Sequence, residues 1–421
     1  MPPKLRYAVR DQVELHMSSL DQLLPEDHLA REIWAYVEQL DLAELFGAIK
    51  TAEGEPGAAT FDPRTLLCLW LYATVESVGS ARRLARLLSA ENGSLPYRWI
   101  SGGAVINYHT LADFRTRHEA ILDRLLTASV AVLAQEGRID LENLTVAHDG
   151  MRVRASAGRD SLHRRETLQK HLQAAQEHVR RLKEQCAEGE SAPSARQRSA
   201  RQRAARERVE RLEQALEIMQ QVEAKQRVRT DREPREPKVS STDPEAAMLR
   251  MANGGKDPAH NLQFTTEVNT RTITCVAVAP MSSDTGMLAP CMQQHRSLHG
   301  RLPARVLSDQ GYFKYDDIAT LESQHCEVIM PDLYPNARTA KASNSYITQW
   351  RQRMNTAQAQ QLYQCRKTTV EWSNARIRQQ GLYQLTVRGR TKARIIGLWH
   401  ALTHNILRTL ALRRIAEVIA T

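Results

Sequence analysis

Aromatic residues make up only 5% of this 421-residue chain, which disfavours a protein built to stack single-stranded bases and leaves duplex phosphates as the better-matched polyanion. Cysteine is thinly spread as well. The six (Cys68, Cys186, Cys275, Cys291, Cys326, Cys365) form no CxxC pair and no Cys/His zinc spacing, so they read as reduced thiols in a cytosolic protein. Long hydrophobic runs are also missing. The longest, Leu66 to Val75, is too short to span a bilayer, and MPPKLRYAVRDQVELH lacks the apolar core of a signal peptide. A cytoplasmic protein with no membrane partner is expected.

What the chain has in excess is positive charge. Lys and Arg number 58 against 48 Asp and Glu, giving a formal net charge of +10 and a pI of about 9.4. Such a surplus favours polyanionic partners, nucleic acid first. The length suggests roughly two or three domains.

Residues 1 to 137 read as a helical region. Asp62-Pro63 is a cap followed by proline at the first helical position, opening the apolar helix RTLLCLWLYATV over 64–75. Gly79-Ser80 recaps the chain, and ARRLARLL over 81–88 places Arg82, Arg83 and Arg86 away from a stripe of Leu84, Leu87 and Leu88. A further helix from Thr110 includes Phe114, Arg115 and Arg117. Short helices with exposed arginines fit either a DNA-binding unit or a bundle with a solvated charged face.

The segment LTVAHDGMRVRA, 144–155, alternates like a strand with a tight point or bulge at His148-Asp149-Gly150. Asp149 is its one carboxylate, and an acid in or beside a buried strand is tolerated mainly when paired, hydrogen-bonded or bound to metal. A hairpin turn at Asp149-Gly150 is the alternative. Two heptad-like stripes follow, Leu168 to Leu182 and Ala205 to Met219, separated by the loop CAEGESAPSARQ; they predict an antiparallel helical hairpin. RVRTDREPREPKVSST, 227–242, reads as a basic linker returning to the core. HNLQFTTEV and TITCVAVAP then form a hairpin about Asn269-Thr270-Arg271. A helix over 284–296, a strand ending in Asp309, a helix over 316–324 and a strand CEVIMPD come next. Helix resumes from Thr368, and a long amphipathic helix runs from about Lys392 to Ile419.

Three acids stand out: Asp149 in a strand, Asp309 at a strand end and Glu371 in a late helix. In that order they suit a two-metal phosphoryl-transfer site, because Mg²⁺ prefers carboxylate oxygens and keeps room for phosphate. Asp243 and Asp284 look like helix caps, His148 like hydrogen-bonded structure, and Glu327 and Asp332 like the solvent-facing ends of a strand. Trp350 and Trp372 fit core packing, with stacking on an extruded base as the alternative.

HDGMRVRASAG, STDPEA with HNLQFTTEVNT, LSDQGYF and RKTTVEWSNARIRQQGLYQLTVRGRTKA, in that order, resemble bacterial insertion-sequence transposases of the DDE type. FDPRTLLCLWLYATVESVGSARRLARLL and YHTLADFRTRH resemble the helical N-terminal region of the same group. The resemblance implies an α/β, RNase H-like mixed sheet flanked by helices, interrupted by a helical hairpin and preceded by an all-α domain. The expected division is 1–137 helical and DNA-binding, 138–158 the first part of the catalytic core, 159–240 hairpin and linker, and 241–421 the remaining core with a C-terminal helix.

The resemblance also implies Mg²⁺, with Mn²⁺ as the alternative ion, held by Asp149 bridging two metals, Asp309 on one and Glu371 on the other. The family's Tyr, Arg, Glu, Lys helix pattern falls on Tyr363, Arg366, Glu371 and Arg378. Arg366 stands one residue further from Glu371 than usual, leaving Lys367 as the alternative basic position, and Arg378 replaces a lysine with a planar fork. Helical offsets put Glu371, Asn374 and Arg378 on one side. The implied partners are double-stranded DNA, as terminal inverted repeats and target, and a second copy of the chain when DNA is engaged. The implied place is the bacterial nucleoid. A DNA nuclease that cuts without joining, and a DNA-binding descendant with a decayed site, are the competing readings.

Overall fold

The computed structural model describes residues 18–47, 49, 60–91, 93–187, 195–227, 236–280, 283–336 and 344–420. The N-terminal stretch up to residue 17, residues 188–194 of the hairpin loop and residues 228–235 of the basic linker lie outside the described residues.

The first region is helical: α1 (Leu20–Leu23), α2 (Leu29–Glu38), α3 (Ala43–Gly47), α4 (Pro63–Val75), α5 (Ala81–Leu87), α6 (Leu95–Ile100), α7 (Tyr108–Thr116) and α8 (Glu119–Gln135). The Asp62 side chain accepts from the Arg64 amide at 2.8 Å and Pro63 takes the first helical position, as the sequence requires of α4. Residues 66 to 74 of α4 are all buried, so this helix is a core rod on which the others pack. On α5, Leu84 and Leu88 are buried while Arg82, Arg83 and Arg86 face solvent. Arg115, expected on the exposed side of α7, is instead buried. It donates to the Gly79 carbonyl and lies over the Trp70 ring, 4.5 Å from its centroid, so its cation is met by a carbonyl and an indole face.

Central to the second region is β1 (Thr145–Arg154). Its pairing with β5 (Lys256–Glu267) runs unbroken from Val146 opposite Glu267 to Arg154 opposite Ala259, so Asp149-Gly150 is neither bulge nor turn but mid-strand. After β1 a short ladder of β2 (Leu162–His163) and β3 (Val239–Ser240) ties the two ends of the insertion together. Between them stand α9 (Arg165–Ala187) and α10 (Ala195–Arg227). Leu168, Ala175, Leu212 and Met219 share an apolar cluster, and Arg165 pairs with Glu223 at 2.7 Å; these cross-links give the antiparallel hairpin that the heptads predict.

The remaining elements are β4 (Ala247–Arg250), β6 (Ile273–Val278), α11 (Leu288–His299), β7 (Arg305–Leu307), α12 (Tyr315–Glu322), β8 (Glu327–Ile329), α13 (Ser345–Met354), α14 (Ala357–Gln379) and α15 (Arg390–Ala420). The sheet runs β4-β5-β1-β7-β8, with β6 antiparallel on the β4 side of β5 and with β7 and β8 parallel to β1. Strand alternation sends Val146, Val306 and Val328 to one face, against Met292 of α11 and Ile318 of α12. Ala147, Leu307 and Ile329 meet Ala359 and Val370 of α14 on the other. Further along that second face, Met151, Val153 and Phe264 join the core of the N-terminal helices through α15. The molecule is therefore mixed α/β with a mixed sheet. Among the described residues, no helix is long and apolar enough to cross a membrane.

Several local expectations change. The helix expected over 284–296 begins only at Leu288, because Asp284 turns its side chain to β5: its Oδ1 accepts from Asn261 at 2.6 Å and Gln263 at 2.8 Å. Asp243 caps no local helix either. Fully buried, it accepts from His260 Nε2 at 2.9 Å and from the Gly389 amide at 3.1 Å, joining β5 to the entry of α15. Asp332 is withdrawn from solvent by Arg351, 2.7 Å away. Trp350 is fully buried, whereas Trp372 is only half-buried.

Candidate active site

Register brings the first two acids together. β1 and β7 are parallel neighbours with Ala147 beside Leu307, and Asp149 and Asp309 each lie two residues beyond that pair. An even offset keeps both on the face covered by α14, about one strand spacing apart. Asp309 has left the ladder to cap a 3-10 turn over Gln310–Tyr312, its Oδ1 accepting from the Gly311 amide at 2.8 Å.

α14 supplies the partners. Arg366 places Nη2 2.7 Å from Asp309 Oδ2 and 3.8 Å from Asp149 Oδ1, and two turns on Asn374 Nδ2 donates to Asp149 Oδ2 at 3.1 Å. Arg366 is thus the cation shared by both carboxylates, while its Nε is buried without a hydrogen-bond partner. Glu371 comes five residues after Arg366, roughly 140° around the helix. Its side chain is 65% exposed against 23% for Asp149 and 42% for Asp309, and its ion-pair partner is Lys367 at 4.0 Å. Arg378 lies 5.7 Å over the Tyr383 ring. Of the residues singled out from sequence, the structure gathers Asp149, Asp309, Arg366 and Asn374. It sets Glu371, Lys367 and Arg378 on other contacts, and Arg82, Arg83 and Arg86 on the surface of α5.

Burial pushes the Asp149 carboxyl up to about 6; the Arg366 cation opposes the rise and the Asp309 charge adds to it. His148, the next residue, points to the opposite face, with Nδ1 3.0 Å from Thr265 Oγ1. Burial pulls its pKa down to about 4 and keeps the ring neutral. Asp284 is the acid that sequence reasoning set aside, and its charge also raises Asp149. The available signal was Asn261 and Gln263, two amides inside a buried strand that require polar partners. Gly150 is needed at this point, since a Cβ there would meet Asn261 Oδ1 and Gln263 Nε2 at 2.7 Å.

Two hard carboxylates side by side suit Mg²⁺, which is commonly held by one or two carboxylates together with substrate phosphates. Among the described residues no group of three or more His, Cys, Asp or Glu side chains is placed to hold an ion. What the structure brings together is the pair Asp149 and Asp309, with Arg366 meeting their negative charge.

Residues 18–117 match the family model of a transposase domain (DUF772). The match covers α1 through α7, and it supports a transposase-family protein. No curated protein and no solved structure matches it.

Proposed function

We propose that the chain cuts DNA at the ends of an insertion sequence and joins them to target DNA, with Asp149 and Asp309 at the centre of an RNase H-like core. The single observation that carries this reading is that Asp149 on β1 and Asp309, just past the end of the neighbouring parallel strand β7, meet beneath a helix that presents Arg366 and Asn374 to them. The mixed sheet flanked by helices and interrupted by a helical hairpin supports the fold part of the reading.

Mg²⁺ or Mn²⁺ held by Asp149 and Asp309 would supply Lewis-acid stabilisation of the phosphate and an activated oxygen nucleophile. Asn374 fixes one oxygen of Asp149, and the other faces Arg366 at 3.8 Å. Arg366, a planar fork suited to phosphate as well as carboxylate, orients both acids. Above about pH 6 Asp149 is a carboxylate with lone pairs to offer. Glu371 would enter as the third acid by rotation of its own exposed side chain, which in this structure is 4.0 Å from Lys367. Double-stranded DNA is the partner, and a second copy of the chain is expected when two ends are brought together.

The exposure of Glu371 favours one alternative, a DNA-binding descendant whose site has decayed. The deciding experiment incubates the protein with labelled element-end DNA and Mg²⁺ or Mn²⁺, alongside Asp149→Asn, Asp309→Asn and Glu371→Gln. Cleavage and joining by the wild type, lost in all three, are expected. Cleavage that survives Asp149→Asn or Asp309→Asn overturns the assignment, products cut but never joined indicate a nuclease, and binding without cleavage by the wild type indicates decay.

A further inference from the structure

On the side of α14 turned toward α15, three arginines converge on one indole. The Cζ atoms of Arg271, Arg408 and Arg376 lie 5.0, 5.3 and 5.4 Å from the centre of the Trp372 ring. They come from three elements: the β5–β6 turn, α15 and α14. The turn is held in place, with Arg408 Nε donating to the Thr270 carbonyl at 2.6 Å and His404 Nε2 2.8 Å from the Arg271 carbonyl oxygen. Arg271 itself adopts a left-handed backbone, φ 60°. Among the described residues none of the three has a carboxylate within ion-pair distance; Arg376 donates only to Gln379 Oε1, at 3.1 Å.

Several partly buried arginines elsewhere are met by acids. Arg394 is met by Asp123 and Glu119, Arg351 by Asp332, and Arg353 by Glu322. At Trp372 the fold instead gathers like charges, and burial together with Arg271 and Arg376 holds the Arg408 guanidinium below its usual pKa. The indole face offsets part of the repulsion. Beside it opens a cavity of about 270 Å³, lined by Trp372, Arg376, Arg408, His404 and Leu407 among others. That is just below the ~300 Å³ at which pockets for drug-sized ligands begin, a size suited to a phosphate and its attached sugar.

We propose that this pocket holds a backbone phosphate of a DNA strand that crosses α14 from the Asp149–Asp309 pair. The inference rests on the DNA-cutting reading above and adds a second point of strand contact to it. Arg376 follows Asn374 by two residues, on another side of a helix roughly 10–12 Å wide. The two points of contact on the strand are therefore about one helix width apart. Guanidinium forks supply the charge-assisted hydrogen bonds, and Trp372 and Leu407 receive the sugar.

The test measures binding of a labelled duplex by fluorescence anisotropy in EDTA over a range of salt. It compares the wild type, Arg376→Gln, Arg271→Gln with Arg376→Gln, and Asp149→Asn as a control for the acid pair. Each cation lost should lower the slope of log affinity against log salt by about one. The double variant should bind several-fold more weakly, with an unchanged melting curve. Unaltered slopes in folded variants overturn the pocket and leave the cleavage reading standing. In a separate cleavage assay with Mg²⁺, cleavage that persists in Asp149→Asn overturns the acid pair while the slopes still judge the pocket. A second arm follows the part of the tryptophan emission removed by Trp372→Phe. Quenching by DNA supports the strand, whereas quenching by inorganic phosphate or a mononucleotide but not by DNA overturns it in favour of a free phosphate.

Discussion

Arg394 and Arg408 project from the same helix, α15, about four turns apart, and meet opposite surroundings. Arg394 makes hydrogen bonds of 2.7 Å to Glu119 and to both oxygens of Asp123, binding α15 to α8. Arg408 meets a carbonyl, an indole and two more arginines. Both are partly buried cations on one helix, which is buried on all sides over 395–406 rather than amphipathic as expected, and nothing in their spacing separates them. On the reading proposed above, a guanidinium closed by carboxylates serves as a clamp of the fold, while one crowded by like charge is placed for an anion from outside. Arg366 stands between the two. It is closed by acids, yet those acids are the ones to which DNA chemistry is assigned.

The sharpest way to break this comparison is Arg394→Ala. Two acids would be left facing each other in a partly buried site, at a cost of about 3–5 kcal/mol. Thermal or urea unfolding should show the loss directly, and an unaltered midpoint would remove the clamp from the account.

Asp149 gives the next largest effect. Its carboxyl is raised to about 6, so the folded state binds its proton more tightly than the unfolded state does. The cost of ionising it is absent below about pH 4, grows between pH 4 and 6, and is fully present above that. Asp149→Asn should therefore raise stability by about 2–3 kcal/mol at pH 7–8 and by little at pH 4. Melting temperatures of the two proteins across this range decide it.

The buried imidazoles work in the opposite sense. Burial depresses His148 and His404 to about 4 and His295 and His400 to about 3. Their unfolded forms take up protons first, so the stability they contribute is complete above about pH 6.5 and is lost as pH falls toward 4. His404, whose depression owes something to Arg408 and Arg376 as well as to burial, sharpens the comparison. His404→Gln should reduce the acid sensitivity of unfolding by about 1–3 kcal/mol at pH 4 and leave it unchanged at pH 8. A parallel shift at both pH values would argue against a neutral buried ring.

Arg408→Gln should lie within about 1 kcal/mol of wild type, since relief of repulsion offsets the hydrogen bond lost to Thr270. A loss as large as that of Arg394→Ala would erase the distinction between them. The smallest effect belongs to Lys367→Ala. It removes an exposed pair with Glu371 at 4.0 Å, and unfolding should change by about 0.5 kcal/mol or less.

Much of this fold could be read in the sequence because its signals are local. Asp62-Pro63 starts α4, the four-and-three spacing from Leu168 gives the hairpin arms, and the paired runs on either side of Asn269-Thr270-Arg271 give β5 and β6. The two strand acids were legible for the same reason: a carboxylate in an apolar strand is conspicuous one strand at a time. Partners distant in sequence were not legible. Asp284 resembled a cap because Ser-Ser-Asp-Thr is a capping sequence, and only β5 shows where its side chain goes. Arg115 resembled a surface cation because its buried acceptor, the Gly79 carbonyl, lies 36 residues away.

The sequence alone therefore determined most of the elements, the hairpin and Asp149 within a strand, since capping, periodicity and burial act over a few residues; the strand expected to end in Asp309 stops at Leu307, and Asp309 caps the turn that follows. The tertiary structure decided which charges meet. The parallel register of β1 and β7 sets the two acids side by side, and the rotation of α14 gives them Arg366 and Asn374 rather than Glu371. The crossing of α14, α15 and the β5–β6 turn gathers three arginines on Trp372. Electrostatic energy depends on distances of a few ångströms between residues tens to hundreds of positions apart, and only packing fixes those distances.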